Sequence, residues 1–142
     1  MIEYIKYKGE ILAIIIRKDF HKPGFHFFTP NGYSQQLASI SLPKNHTISP
    51  HVHNPVKRSV KNTLEVLFIK KGKLRIDFYS NEQIYLESKV LRRDEVILLI
   101  SGGHGFKIID DVQFIEVKQG PYVEGKDKTR FSASSVKIKI KP

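Results

Sequence analysis

The chain has 142 residues, of which 40% are hydrophobic and 27% are charged, and this balance excludes a disordered or fibrous protein. It contains no cysteine, which excludes both a disulfide framework and a metal site built from thiolates. A formal net charge of +10 predicts a surface that attracts anions, but the sign alone does not identify the anion.

The length fits one domain, and we expect residues 1–142 to form it. The N-terminus shows no signal-peptide pattern, and the longest apolar run, Ile11 to Ile16, is too short to cross a bilayer. We therefore expect a cytoplasmic protein without membrane contact. Because no helix-turn-helix, zinc-finger or RNA-binding signature is present, we also expect no nucleic-acid partner.

Almost every segment between turn signals has the pattern of a short strand, and helical periodicity is nearly absent. Ten strands are predicted: Ile11–Arg17, Gln35–Leu42, Ile48–His53, Leu64–Lys70, Lys73–Tyr79, Ile84–Val90, Glu95–Leu99, Gly105–Ile109, Val112–Lys118 and Val136–Ile140. Continuous apolar runs at Val66–Ile69 and Val96–Ile100 are typical of strands that are covered on both faces.

Turn-forming residues separate the predicted strands at Lys71-Gly72, at Ser80-Asn81-Glu82 and at Asp110-Asp111. Hairpins at this spacing indicate an antiparallel meander. The sequence therefore predicts an all-β domain, folded as an antiparallel β-barrel or sandwich.

Two histidines, His51 and His53, stand two positions apart on a predicted strand, so both imidazoles would project from the same face. One such pair is a weak indication of a metal site, since a histidine more often just forms a hydrogen bond with a neighbour. Glu65, which opens a later strand, and His104, which lies between Gly103 and Gly105, strengthen the case. Antiparallel pairing would bring Glu65 opposite the strand that carries His51 and His53. The glycines on both sides of His104 would let the backbone turn sharply and approach the site closely.

Three imidazoles and one carboxylate that converge inside a barrel would suit one divalent ion such as iron, manganese, nickel or zinc. In this pattern the sequence resembles the cupin superfamily, whose first motif is HxH, a glutamate, six residues and a glycine, and whose second motif places a histidine after a glycine-containing turn. The matching residues are His51, His53, Glu65 and Gly72 for the first motif, and Asp94, Gly103 and His104 for the second.

The resemblance covers roughly residues 42 to 118. Within the superfamily the chain is similar to the small single-domain cupins found with bacterial polysaccharide and nucleotide-sugar genes. It departs from the usual motif in the long segment from Asn54 to Leu64, and in Ser101-Gly102-Gly103, where the family has a proline before the histidine.

The resemblance implies a cupin barrel, or jelly roll, in which His51, His53, Glu65 and His104 hold the metal. A homodimer is our default expectation. The leading functional hypothesis is a metal-dependent isomerase or epimerase acting on a small anionic or sugar-like molecule. We expect Glu116 to be an acid or base, and Arg58 and Lys118 to bind the substrate.

Three alternatives stay open at this point. The first is a non-catalytic module that binds a sugar or a carboxylate and regulates a partner. The second is a metal-free sugar epimerase in which a histidine is the base and an aspartate orients it. The third is an iron-dependent dioxygenase.

Overall fold

A computed structural model describes residues 1–133 and 137–141 of the chain. Its elements are all strands, and no helix occurs in these two ranges. The strands are β1 (Ile2–Tyr7), β2 (Glu10–Ile16), β3 (Gly24–Phe27), β4 (Ala38–Ser41), β5 (Glu65–Tyr79), β6 (Tyr85–Arg92), β7 (Val96–Leu99) and β8 (Gly103–Lys118). Every pairing between named strands is antiparallel, which agrees with the predicted all-β class.

The long strand β5 organises the main sheet, whose order is β1-β2-β7-β5-β6 with β8 also paired to β5. One edge of β5 pairs with β7 over its first four residues and with β6 from Lys73 onward. The other edge pairs with β8 from Glu65 to Tyr79. A smaller hairpin of β3 and β4 stands apart from this sheet.

The β5–β8 ladder bends sharply near its middle, where the register shifts several times between Ile69 and Leu74. Gly72 lies in this bend with a φ of 80°, a conformation that L side chains seldom adopt. A Cβ atom on Gly72 would come within 2.0 Å of the carbonyl oxygen of Asp111 on β8. The bend therefore requires a glycine, and through it the sheet curls into a half-barrel.

Two predicted turns are therefore wrong. Lys71-Gly72 does not close a hairpin, because β5 continues through the bend without a break. Asp110-Asp111 likewise lies inside the continuous strand β8, where the Asp110 carboxylate pairs with Lys73 Nζ at 3.0 Å. The predicted turn at Ser80-Asn81-Glu82 is confirmed, since it lies between β5 and β6.

Apolar side chains from alternate positions of the same strands fill two cores, one on each face of the sheet. In β7, Ile97 and Leu99 face the core inside the curl, while Leu98 faces the core on the other side. In β5, Leu67 and Ile69 belong to the inner core. The continuous apolar run Val96–Ile100 is thus explained by burial on both faces, whereas in Val66–Ile69 Phe68 is exposed. We call the inner side of the curl the concave face.

The remaining differences from the predicted strands lie near the N-terminus and in the middle of the chain. The prediction missed β1 and β3. The predicted strand Ile48–His53 is wrong, because residues 43 to 63 form no strand and are all exposed. The predicted strand Val136–Ile140 lies partly outside the described residues; within them, Ile140 forms one parallel bridge with Ser88.

A cluster of charged side chains ties β1, β2 and β6 together. Arg17 donates hydrogen bonds to Glu3 at 2.5 Å, to Glu95 at 3.0 Å and to the carbonyl oxygen of Val90 at 2.9 Å. Lys89 Nζ reaches the second oxygen of Glu3 at 2.9 Å. These side chains are about one-tenth exposed, so each charge depends on its partners for solvation.

The end of the chain covers Ser88 of β6. The Ser88 amide donates to the carbonyl oxygen of Lys139 at 2.9 Å, and the Lys141 amide donates to the carbonyl oxygen of Ser88 at 3.1 Å. The Tyr85 hydroxyl connects Ser88 with Lys139: it lies 2.8 Å from Ser88 Oγ and accepts a hydrogen bond from the Lys139 amide at 2.8 Å. Residues 139–141 are thereby held against β6.

A search of the described ranges for a helix long and apolar enough to span a bilayer finds none.

Candidate functional site on the concave face

The two ends of the β5–β8 ladder meet on the concave face. Glu65 pairs with Lys118 at one end of the ladder, and His104 pairs with Phe78 at the other. Glu65 Oε2 nevertheless lies 3.1 Å from His104 Nε2. The curl of the sheet accounts for this contact, because a straight strand would separate the two ends by about 43 Å.

Lys118 and Glu116 complete the cluster. Lys118 Nζ lies 3.0 Å from Glu65 Oε1 and 2.9 Å from Glu116 Oε1. Alternation along β8 places Glu116 and Lys118 on one face. We call Glu65, His104, Glu116 and Lys118 the acid–base cluster.

The environment of Glu65 favours its charged form. Its side chain is only 12% exposed, and burial alone would raise the pKa. The hydrogen bond with His104 and the contact with Lys118 outweigh burial and lower the pKa of Glu65 to about 2. The contacts with Glu116 and then Glu65 raise the pKa of Lys118 above its usual range, so the ammonium stays charged.

The Glu65 carboxylate also determines which nitrogen of His104 is available for chemistry. A carboxylate only accepts, so the 3.1 Å contact requires His104 Nε2 to carry a hydrogen. In the neutral ring, Nδ1 is then the basic nitrogen. A carboxylate that orients an imidazole in this way is typical of general-base sites.

Aromatic side chains extend the concave face beside the cluster. The Phe106 ring stacks against His104 with centroids 5.3 Å apart and planes at 24°, and it contacts the edge of Phe114 at 6.4 Å. Phe106 is 40% exposed. The prediction did not single out Phe106 for the site; its position two residues after His104, on the same strand face, is the signal that could have identified it.

His51 and His53 lie elsewhere. Both are in the exposed segment 43–63, with ring centroids 5.2 Å apart, and Val52 between them is 85% exposed. His51 Nδ1 donates to the carbonyl oxygen of Ser49 at 2.9 Å. Arg58 belongs to the same segment, and its guanidinium donates to the carbonyl oxygen of Val56 at 3.2 Å. The structure thus brings Glu65 and His104 together without His51, His53 or Arg58.

The side chains as arranged fit a metal ion only in part. Glu65 and His104 supply one carboxylate and one imidazole, the donor types that a divalent ion takes in a protein without cysteine. Within residues 1–133 and 137–141, no group of three or more histidine, aspartate or glutamate side chains is arranged to hold an ion. The four-ligand metal site therefore stays a prediction.

Neither a protein-family model, nor a curated protein, nor a solved structure matches this chain.

Proposed function

We propose that this chain is a cupin-type protein that isomerises or epimerises a small sugar-like or anionic molecule on the concave face of the half-barrel. The observation that supports this proposal most directly is the contact between Glu65 Oε2 and His104 Nε2 at 3.1 Å. It favours the metal-free form of the hypothesis, in which a histidine is the base and an acidic residue orients it; here Glu65 takes the place of the expected aspartate.

In this proposal His104 Nδ1 takes a proton from a substrate carbon next to a carbonyl group. Glu65 holds the ring in the required tautomer and stabilises the imidazolium that forms. The Lys118 ammonium, which contacts both Glu65 and Glu116, can donate a hydrogen bond to the substrate oxygen. Glu116, 2.9 Å from Lys118, is the candidate for a second proton carrier.

The proposal is tested by incubating the full chain in deuterated water with keto sugars and with uridine diphosphate 4-keto-hexoses, and by following carbon-bound hydrogen by NMR. Wild-type protein should exchange hydrogen at one position of at least one sugar. His104→Gln should lose this exchange, whereas His46→Gln, a change in the exposed segment, should retain it. Binding without exchange would contradict catalysis and favour the non-catalytic module.

A metal-dependent form is the second candidate. It is favoured because the segment that carries His51 and His53 leads directly to Glu65, which already contacts His104. The metal, when bound, would polarise a substrate oxygen as a Lewis acid. Elemental analysis of purified protein tests this form: a stoichiometric metal that is lost in both His51→Ala and His104→Ala would support it. Oxygen consumption that depends on added iron(II) would point to the dioxygenase.

We further propose that the half-barrel is part of a jelly roll and that two copies form a homodimer. In the described part of the sheet, β8 pairs only with β5, so its other edge is open. Ile115 and Val117 on β8 are about half exposed, which is unusual for apolar side chains in a long strand. Sedimentation analysis should give a dimer for the wild type and a shift towards monomer for Ile115→Lys. A wild-type monomer would contradict the homodimer.

A further inference from the structure

The charges of the acid–base cluster restrict the ligand. Glu65 and Glu116 are two carboxylates around the single ammonium of Lys118, which contacts both. One of the two carboxylates neutralises the charge of Lys118, and the other leaves an excess negative charge. An anionic ligand beside Lys118 would be repelled by this excess charge. Hydroxyl groups, by contrast, could donate hydrogen bonds to the carboxylates. The cluster thus favours an uncharged hydroxylated ligand over an anionic one.

The aromatic part of the concave face points to the same ligand class. Phe106 pairs with Ile76, whose side chain is fully buried in the core inside the curl, so the Phe106 side chain lies on the concave face. Its 40% exposure offers apolar surface next to groups that accept hydrogen bonds. The face of an aromatic ring is negative and attracts the weakly positive C–H groups on one side of a sugar ring.

We propose that Phe106 is the stacking platform for an uncharged pyranose ring whose hydroxyl groups donate to Glu65 and Glu116. This inference rests on the proposed function for the location of the site, and it narrows the ligand class from sugar-like or anionic molecules to uncharged sugars. It also makes Phe106 one of the residues that determine the preference for a sugar ring. The His104 imidazole covers one face of the Phe106 ring, so the sugar would stack on the other face.

The chain offers a matched control for this role. Phe68 is 38% exposed, close to the value for Phe106, and its position in β5 alternates with that of Leu67, which faces the inner core. Phe68 therefore lies on the opposite face of the sheet. Replacing either phenylalanine with leucine removes an aromatic ring of similar exposure, but only Phe106→Leu removes one from the concave face.

The experiment titrates the isotope-labelled full chain with methyl glycosides of glucose, galactose and mannose, with the corresponding uronates and with inorganic phosphate. At least one uncharged glycoside should shift the amide signals of His104 and Phe106, and its uronate should bind more weakly. Phe106→Leu should weaken glycoside binding by about 3- to 10-fold. Phe68→Leu should leave it unchanged, and Phe106→Tyr should preserve most of it.

A measurement on unmodified protein complements the variants: magnetisation transfer from the Phe106 ring should reach the C–H protons of the glycoside. Tighter binding of uronate or phosphate, or equal effects of Phe106→Leu and Phe68→Leu, would overturn the inference. If an anion binds, and if its binding is lost in His104→Gln but kept in Phe106→Leu, the stacking inference is wrong but the proposed function still stands. If no probe shifts the His104 signal, both fail.

Discussion

The Glu65 carboxylate and the His104 imidazole are in contact at 3.1 Å although they belong to opposite ends of one β-ladder. The contact depends on the bend at Gly72, since only a curled ladder can bring its two ends together. Stability and site geometry are therefore coupled through a glycine that is distant from the site along the strand.

Gly72→Ala should destabilise the protein strongly and separate Glu65 from His104. The positive φ alone costs an alanine roughly 1–3 kcal/mol, and the clash with the Asp111 carbonyl oxygen adds to this. Gly9→Ala is the matched control, because Gly9 has a φ of 85° but no atom within 4 Å of an added Cβ. Urea denaturation should give a clearly larger loss for Gly72→Ala; equal losses would contradict a steric requirement at the bend.

Glu3 should make stability sensitive to acid. Burial alone would raise the pKa of Glu3, but hydrogen bonds and charge attraction from Arg17 and Lys89 lower it below the usual 4.5. A carboxyl group whose pKa is lower in the folded state stabilises the fold above its unfolded pKa, and this contribution is lost as the pH falls further. The free energy of unfolding should therefore decrease below about pH 4.5.

Glu3→Gln isolates that contribution. At neutral pH it should cost about 2–4 kcal/mol, because Arg17 and Lys89 lose a nearly buried partner. From about pH 7 to pH 3 its stability should fall less than that of the wild type in urea denaturation. The exposed Glu124→Gln provides the control. A wild type and a Glu3→Gln variant with the same pH dependence would contradict the role given to Glu3.

Tyr85→Phe should loosen the end of the chain. The hydroxyl of Tyr85 contacts Ser88 Oγ and accepts from the Lys139 amide, so its removal should cost about 1 kcal/mol. Amide hydrogen exchange at Lys139 and Lys141 should become faster. Tyr122→Phe, at a tyrosine that is 67% exposed, should change neither stability nor exchange. Unchanged exchange at Lys139 in Tyr85→Phe would show that the hydroxyl does not hold this segment.

Local patterns predicted the all-β class but not the continuity of β5 and β8. A glycine with positive φ can close a hairpin or form a bend within a strand, and Lys71-Gly72 has the same local appearance in both cases. The difference lies in the pairing of β5 with β8, a strand remote in sequence, and no local pattern contains that information.

Only part of the candidate site was predicted, because the rest also depends on information that local patterns do not contain. Glu116 and Lys118 stand two positions apart on a predicted strand, so their shared face could be inferred from spacing. His51 and His53 lie between Pro50 and Pro55, which interrupt regular strand pairing, and the short HxH pattern could not establish a strand there. Phe106 was missed because an aromatic residue in a strand is usually assigned to the core.

The pairing of β2 with β7 has a consequence for how the chain reaches its native state. Ala13 pairs with Leu99, 86 positions further along the chain, so β1 and β2 leave the ribosome long before their neighbour in the sheet exists. Until then Ile14 and Ile15, which are both fully buried in the folded protein, are exposed to water. Such distant pairing predicts slow folding for a domain of this size, with a phase of exposed apolar surface in which chaperones would bind.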